Sequence, residues 1–198
     1  MQNENHPLAN LSPADLVGIA VVTFGLFGLL SGKVQQAGII FIAAWMVGGF
    51  VIQVITAVIN ALKGNMLAAN LGLMFSSYLM LSSAISFTIK YCSGLYGFPI
   101  DPTMEGFLWM PLWIIIWLWT PAFLKATPFS FNLMVFCFDI AIPLLCLSSF
   151  GLLGGMGMFV LTWFLLLTGI MALWNAAAMV LAEVFQRPLL PMGSPLFK

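Results

Sequence analysis

Asp139 is the residue whose type and position most strongly suggest chemistry. It lies near the middle of an apolar run at 129–150. An ionised acid at the centre of a bilayer costs about 2.5–3.5 kcal/mol, so such residues usually face a bundle interior. Pro143 follows one turn later, and its ring blocks the helical hydrogen bond to the Asp139 carbonyl. Two interpretations stay open: an acid on a solute or proton path, or a protonated side chain bonded to a neighbouring helix.

A second set of polar side chains lies in the run at 66–90, which is rich in hydroxyl groups. Asn70 and Ser77 are seven residues apart and therefore align on one helix face. They could supply hydrogen bonds to a small polar solute, or bond to an adjacent helix, as serine often does in membranes. We predict that Asn70, Ser77 and Asp139 lie on the substrate or proton path.

Catalytic and metal-binding patterns are missing from the sequence. The single histidine, His6, lies in a polar tail at 1–11, where a solvated residue is expected. The cysteines at 92, 137 and 146 do not have metal-ligand spacing. There is no Ser–His or Cys–His pairing and no phosphate-binding glycine loop. The sequence therefore predicts no enzyme, no cofactor and no metal.

The elements that must position these residues follow from composition and charge spacing. The chain is 62% apolar and only 6% charged, whereas soluble domains carry about 25% charged residues. Its zero net charge disfavours a nucleic-acid partner. Four stretches between charges, at 16–32, 34–62, 64–89 and 106–124, hold 17, 29, 26 and 19 uncharged residues, and one bilayer crossing needs about 20. We therefore predict an all-α integral membrane protein, a six-transmembrane-helix bundle in the lipid bilayer with spans at 14–31, 37–62, 66–90, 106–124, 129–150 and 155–185.

The distribution of lysine and arginine predicts the orientation of the bundle. Cytoplasmic loops carry an excess of these residues. With both termini cytoplasmic, four basic residues lie inside (Lys63, Lys125, Arg187, Lys198) and two outside (Lys33, Lys90). We predict a polar N-terminal tail at 1–11, a transmembrane domain at 12–186 and a C-terminal tail at 187–198. The protein would be a multi-pass protein of the plasma membrane or the bacterial inner membrane.

Three segments carry a family resemblance. Residues 12–18 read Ser-Pro-Ala-Asp-Leu-Val-Gly, similar to the signature Asn-Pro-Ala-Pro-Leu-Gly-Leu. Gly64 and Asn65 open the third span, with Phe75 ten residues after the Asn. Residues 183–193 run from Glu-Val to Arg-Pro-Leu-Leu-Pro-Met-Gly, similar to an ending in Gly-Arg-x-x-Leu-Pro-hydrophobic-Gly. Together they resemble the acetate uptake transporter family, the succinate–acetate permease type, with departures that indicate a divergent member.

The resemblance implies a homo-hexamer of six-helix protomers, each with its own pore. It also implies an apolar pore constriction at Val21, Phe75 and Phe138, in a family that usually has Tyr where this chain has Phe75. The implied function is a membrane channel or transporter for acetate or a similar small monocarboxylate. Because an apolar constriction rejects an anion but passes its neutral acid, transport would be linked to protons.

Two alternatives remain at this point. A channel for urea, a short amide or another small neutral solute would also use a six-helix hexamer. It would tolerate Asp139 more easily, because an uncharged solute is not repelled by an acid. A membrane scaffold that packs against partners without transport is the other alternative, and it would have no polar-lined path.

Overall fold

The computed structural model describes residues 8–197, and over that range the chain is helical and contains no strand. His6 and most of the predicted tail lie outside the described residues. The helices are α1 (Ser12–Leu30), α2 (Ile39–Leu62), α3 (Met66–Met74), α4 (Ser83–Tyr96), α5 (Thr103–Ala126), α6 (Phe129–Ser149) and α7 (Gly155–Phe185). A short 3₁₀ turn (Gln36–Gly38) precedes α2, and a π-helical segment (Phe75–Ser82) joins α3 to α4 without a break.

Six helical stretches are long and apolar enough to cross a membrane, which confirms the predicted six-span, all-α architecture. The third span combines α3, the π-helical segment and α4 (Met66–Tyr96) and extends six residues beyond the predicted end. Gly97 ends α4 in the left-handed conformation at φ 73°, which glycine adopts without steric cost. The loop before α5 is therefore much shorter than the gap between the predicted spans at 66–90 and 106–124.

The helices pack largely in sequence order. Helix α1 lies between α7 and α2, α6 packs on α7, and α5 packs on α6. The third span packs along α2. Close approach at α2 depends on small residues: Gly18 lies opposite Gly49, and Gly72 lies against Ala57. In membranes such small residues allow van der Waals contact between helix backbones, which larger side chains at the same positions would prevent.

Two apolar clusters form the core. One surrounds Phe75 and Phe138 and draws residues from α1, the π-helical segment, α5, α6 and α7. The other surrounds Met46 and Met80 and joins α1, α2, α4, α6 and α7. Because the first cluster unites the third span with α1, α5 and α6, Phe75 and Phe138 lie on the inner side of the bundle rather than on its lipid face.

Candidate functional site

The π-helical segment lies in the middle of the third span. Such segments are rare and often occur at functional sites, because the wider turn changes which side chains share a face. Two serines cover the carbonyls five residues before them: Ser82 donates to the Ser77 carbonyl at 2.9 Å, and Ser83 donates to the Tyr78 carbonyl at 3.2 Å. These side-chain bonds span the wider turn and therefore support the π-helical segment.

A cavity of about 1000 Å³ occupies one end of the bundle. We call it the vestibule. Its mouth lies at the loops that contain Gln36, Pro102 and Gly151. Its polar wall comes from the third span and the facing ends of α5 and α6: Tyr78, Ser82, Ser83, Ser86, Lys90, Glu105, Ser148 and Ser149. Its floor is apolar and includes Leu26, Met74, Leu79, Leu112, Ile115 and Leu145.

An ion pair lies in the wall of the vestibule. The ammonium group of Lys90, on α4, donates to the carboxylate of Glu105, on α5, and the hydroxyl of Ser86 donates to the same carboxylate. The two charged side chains are 25% and 21% exposed, so they are partly shielded from water. Lys90 and Glu105 are the only charged residues among the described residues that line the vestibule. The cavity therefore carries no net formal charge when both groups are ionised.

Below the vestibule lies an aromatic contact that we call the aromatic neck, formed by Phe75 and Phe138. Their ring centroids are 5.2 Å apart and the rings are tilted by 49°. Both side chains are buried, at 5% and 6% exposure. Leu79 and Leu112 belong both to the vestibule floor and to the apolar cluster around this contact. The neck therefore begins where the vestibule ends.

A small void borders both the vestibule floor and Phe138 of the aromatic neck. Its volume is about 10 Å³, it is lined by Phe138, and it shares Leu79 and Trp109 with the vestibule. Thr23 also lines it, but the Thr23 hydroxyl lies within bonding distance of backbone carbonyls of its own helix. A cavity that holds one water needs about 10–15 Å³ and polar partners, and this void has almost none, so it is dry.

The structure brings together two of the three residues predicted for the constriction. Phe75 and Phe138 are in contact, as described above. Val21 is half-buried, and its neighbour Val22 lines the void together with Phe138. Val22 is therefore the valine of α1 that lies closer to the proposed path. A constriction at Val21, Phe75 and Phe138 stays a prediction about a conducting state.

Asn70 and Ser77 are not among the residues that line the vestibule. Asn70 is exposed, and its amide donates to the Met66 carbonyl at 2.8 Å. It lies one turn before Met74, which does line the vestibule, so it continues the same helix face beyond the floor. Ser77 is half-buried within the π-helical segment. Their predicted contact with a solute stays a prediction.

Asp139 is held by α5. The Thr120 hydroxyl donates to its carboxyl Oδ2 at 2.7 Å, while Oδ1 is buried with no protein partner. The Trp117 indole donates to the Asp139 carbonyl at 2.9 Å, the group that Pro143 leaves without its helical donor. These contacts are those of the second interpretation, a side chain bonded to a neighbouring helix. A role of Asp139 in a solute or proton path stays a prediction.

The comparisons with known proteins concern the whole bundle. No protein-family model matches the sequence, and no curated protein matches it. Among solved structures, the chain is similar to the bacterial acetate channel SatP, with a TM-score of 0.80 and 21% sequence identity. The match covers 94% of this chain and 99% of the other. This chain has the fold of that channel.

The likeness that the sequence predicted is confirmed at the level of the fold, and the low identity fits a divergent chain. What the sequence analysis did not identify is the Lys90–Glu105 pair. A signal for it was present. The two residues end and begin consecutive spans joined by one loop, which places them at the same end of the bundle. Consecutive spans joined by short loops are usually neighbours in space.

Proposed function

We propose that this protein is a channel or transporter for acetate or a similar small monocarboxylate. The six apolar helices make it a multi-pass membrane protein. The proposal is supported by the spatial order of vestibule, dry void and aromatic neck within one protomer. It is also supported by a fold shared with an acetate channel. A vestibule of this size with one polar wall favours transport over a scaffold that only packs against partners.

The chemistry of the neck favours a proton-linked process. Carboxylate anions lose much free energy when they leave water, whereas the neutral acids do not. Small carboxylic acids lose their proton in the same pH range as a glutamate side chain, near pH 4–5. Phe75 and Phe138 present no hydrogen-bonding group to an anion. A monocarboxylate would therefore cross the aromatic neck as the neutral acid, and its transport would carry one proton with it.

A small neutral solute such as urea or a short amide is the second candidate. The observation that favours it is the balance of charge in the vestibule, where Lys90 is already paired with Glu105. An uncharged amide could bond to the wall serines without separating that pair. It would then meet the same apolar neck, where the free energy cost of a polar amide group exceeds that of a neutral acid with a methyl tail.

Uptake in reconstituted vesicles tests the function. We expect proteoliposomes to accumulate labelled acetate several-fold faster than protein-free liposomes, and an inward proton gradient to increase the rate. The reason is that the neck passes the neutral acid, whose concentration rises as pH falls through the range in which carboxylates bind protons. Urea uptake is measured in the same vesicles. Urea uptake without acetate uptake would support the second candidate, and uptake of neither would contradict transport.

Asp139→Asn tests the predicted proton path. We expect acetate uptake to change less than about twofold, because an Asn side chain can still accept from Thr120 and the Trp117 bond goes to the backbone. The rate is compared at several pH values. A large loss of uptake, or loss of its pH dependence in a protein that remains folded, would return Asp139 to the proton path.

The remaining features of the assembly are proposals as well. Both termini would lie in the cytoplasm, as the distribution of Lys and Arg indicates, so that the vestibule would open outward. A homo-hexamer would cover apolar side chains that point away from the protomer, among them Phe41 and Trp45 on α2, which are 71% and 65% exposed. Tails at 1–11 and 187–198 would flank the transmembrane domain at 12–186, in a plasma membrane or bacterial inner membrane.

A further inference from the structure

The Lys90–Glu105 pair lies on the way from the vestibule mouth to the aromatic neck. We propose that it is a combined site for a carboxylate anion and a proton: Lys90 binds the substrate anion while Glu105 carries the proton that neutralises it. The inference rests on the function proposed above, because it concerns how a carboxylate reaches the neck as a neutral acid. It differs from that proposal in assigning the step to two named side chains.

The anion side of the site follows from the chemistry of Lys90. It is the single cation among the described residues that line the vestibule, and its present partner is itself a carboxylate. A small carboxylate offers the same charge and the same acceptor oxygens as Glu105, so it can take that partner's place. The hydroxyl groups of Ser82, Ser83 and Ser86 line the same wall and can donate to the second oxygen of a bound anion.

The proton side follows from competition within the pair. While Glu105 is ionised, its carboxylate is bonded to Lys90. A substrate anion would have to displace Glu105 and leave this carboxylate unpaired in a partly buried position. Once Glu105 binds a proton from water, Lys90 loses its partner and attracts the substrate anion. Charge-assisted hydrogen bonds are roughly twice as strong as neutral ones, so protonation of Glu105 strongly favours the exchange.

The transfer step needs no further reactant. The O–H bond of protonated Glu105 breaks, an O–H bond forms on the substrate carboxylate, and the regenerated Glu105 carboxylate returns to Lys90. The transfer exchanges one carboxylate for another beside Lys90, so the net charge of the vestibule is the same before and after it. The neutral acid then leaves Lys90 for the void and the aromatic neck.

Other titratable groups near the pair do not substitute for it. Tyr78 on the π-helical segment lines the vestibule and carries a hydroxyl group, not a carboxylate or an amine. On α6, the Cys146 thiol donates to the Gly106 carbonyl beside Glu105. Asp101 precedes α5 and does not line the vestibule. Hydrogen bonds from the Thr103 hydroxyl and backbone hold the pKa of Asp101 below its usual range, so it carries no proton at mild acidity. From α1 and α2, the described vestibule residues contribute no charge.

Inhibition by trifluoroacetate tests the site. This carboxylate is too acidic to be protonated between pH 5 and pH 7, so it can occupy Lys90 but cannot be neutralised and passed on. We expect it to inhibit labelled acetate uptake by the wild type about tenfold more tightly at pH 5 than at pH 7, the effect of about one charge-assisted hydrogen bond. The inhibitor is added on both sides of the vesicles, so protein orientation does not matter.

The variants separate the two roles. Glu105→Gln leaves Lys90 free at every pH, so inhibition should be tight at both pH values while acetate uptake falls for lack of the proton donor. Lys90→Gln should abolish inhibition. Lys33→Gln and Asp101→Asn, which remove charges at the same end but outside the vestibule lining, should behave as the wild type does. If Glu105→Gln does not fold, Ser86→Ala serves in its place. It keeps both charges, removes one bond to Glu105, and should weaken the pH dependence of the inhibition.

The outcomes distinguish this inference from the proposed function. Wild-type protein without acetate uptake would overturn the function itself. Wild-type uptake with trifluoroacetate inhibition that is independent of pH, or that persists unchanged in Lys90→Gln, would overturn the ion-pair site and leave the function standing. Inhibition that depends on pH in the wild type, becomes uniformly tight in Glu105→Gln and disappears in Lys90→Gln would support it.

Discussion

Phe138→Ala should allow carboxylates larger than acetate, such as butyrate and benzoate, to cross about tenfold faster or more. The ring of Phe138 fills half of the aromatic neck and contacts Phe75 at a centroid distance of 5.2 Å. Its removal leaves a cavity in a region that otherwise has a void of only about 10 Å³. A wider apolar path keeps its preference for neutral acids but loses its discrimination by size. Labelled uptake of the three acids, measured at one pH, gives the ratio.

The matched control for this change is Phe136→Ala. Phe136 lies two residues earlier on α6 and is 58% exposed, so it faces away from the core. Truncation of a buried Phe costs about 3–5 kcal/mol of stability, and Phe138→Leu serves as a milder variant if the alanine variant does not fold. Unchanged size selectivity in folded Phe138 variants, or an equal effect of Phe136→Ala, would show that the contact of Phe75 with Phe138 does not limit passage.

Gly72→Val should destabilise the bundle by about 1–3 kcal/mol through overpacking. A Cβ atom at position 72 would lie 2.9 Å from the Ala57 side chain and 3.4 Å from the Ala57 Cα atom, so the third span would have to move away from α2. Because the π-helical segment begins three residues later, such a movement would also disturb Phe75 and slow acetate uptake. Unfolding in a detergent titration, followed by circular dichroism, measures the loss.

Gly48→Val provides the comparison for Gly72→Val. Gly48 lies on α2, where an added Cβ atom meets nothing within 4 Å. Both substitutions place a β-branched residue in a helix interior, so their difference isolates the packing contribution. Equal destabilisation by the two variants would mean that helix propensity rather than the approach of α3 to α2 accounts for the effect.

Several features could be predicted from individual residues. Lys33, Lys63 and Lys90 stand apart from one another by about a bilayer crossing, so they indicated the ends of helices before any packing was considered. The family resemblance implied a constriction at Val21, Phe75 and Phe138, and the rings of Phe75 and Phe138 lie in contact. Asp139 was recognised as unusual because a charge at mid-membrane is costly. The cost alone did not show that the Asp139 side chain bonds to Thr120 on α5.

Other features could not be found by periodicity. A helical repeat assigns Asn70 and Ser77 to one face, but the π-helical segment that begins at Phe75 widens the turn and changes the register after it. Ser82, Ser83 and Ser86 line the vestibule as a result, whereas Ser77 does not. Such a segment has no simple sequence signature, because it is stabilised by contacts with neighbouring helices and by side-chain bonds such as that from Ser82.

The amino-acid sequence alone determined the number, length and apolar character of the spans. The physical reason is that the bilayer imposes one length and requires every backbone group to pair within its own helix, so each span is a local property. The vestibule, the neck and the Lys90–Glu105 pair depend instead on contacts between residues of different helices. Asp139 shows the difference most clearly: its cost in the membrane is local, but the partner that reduces the cost, Thr120, lies on another helix and was found only in the folded bundle.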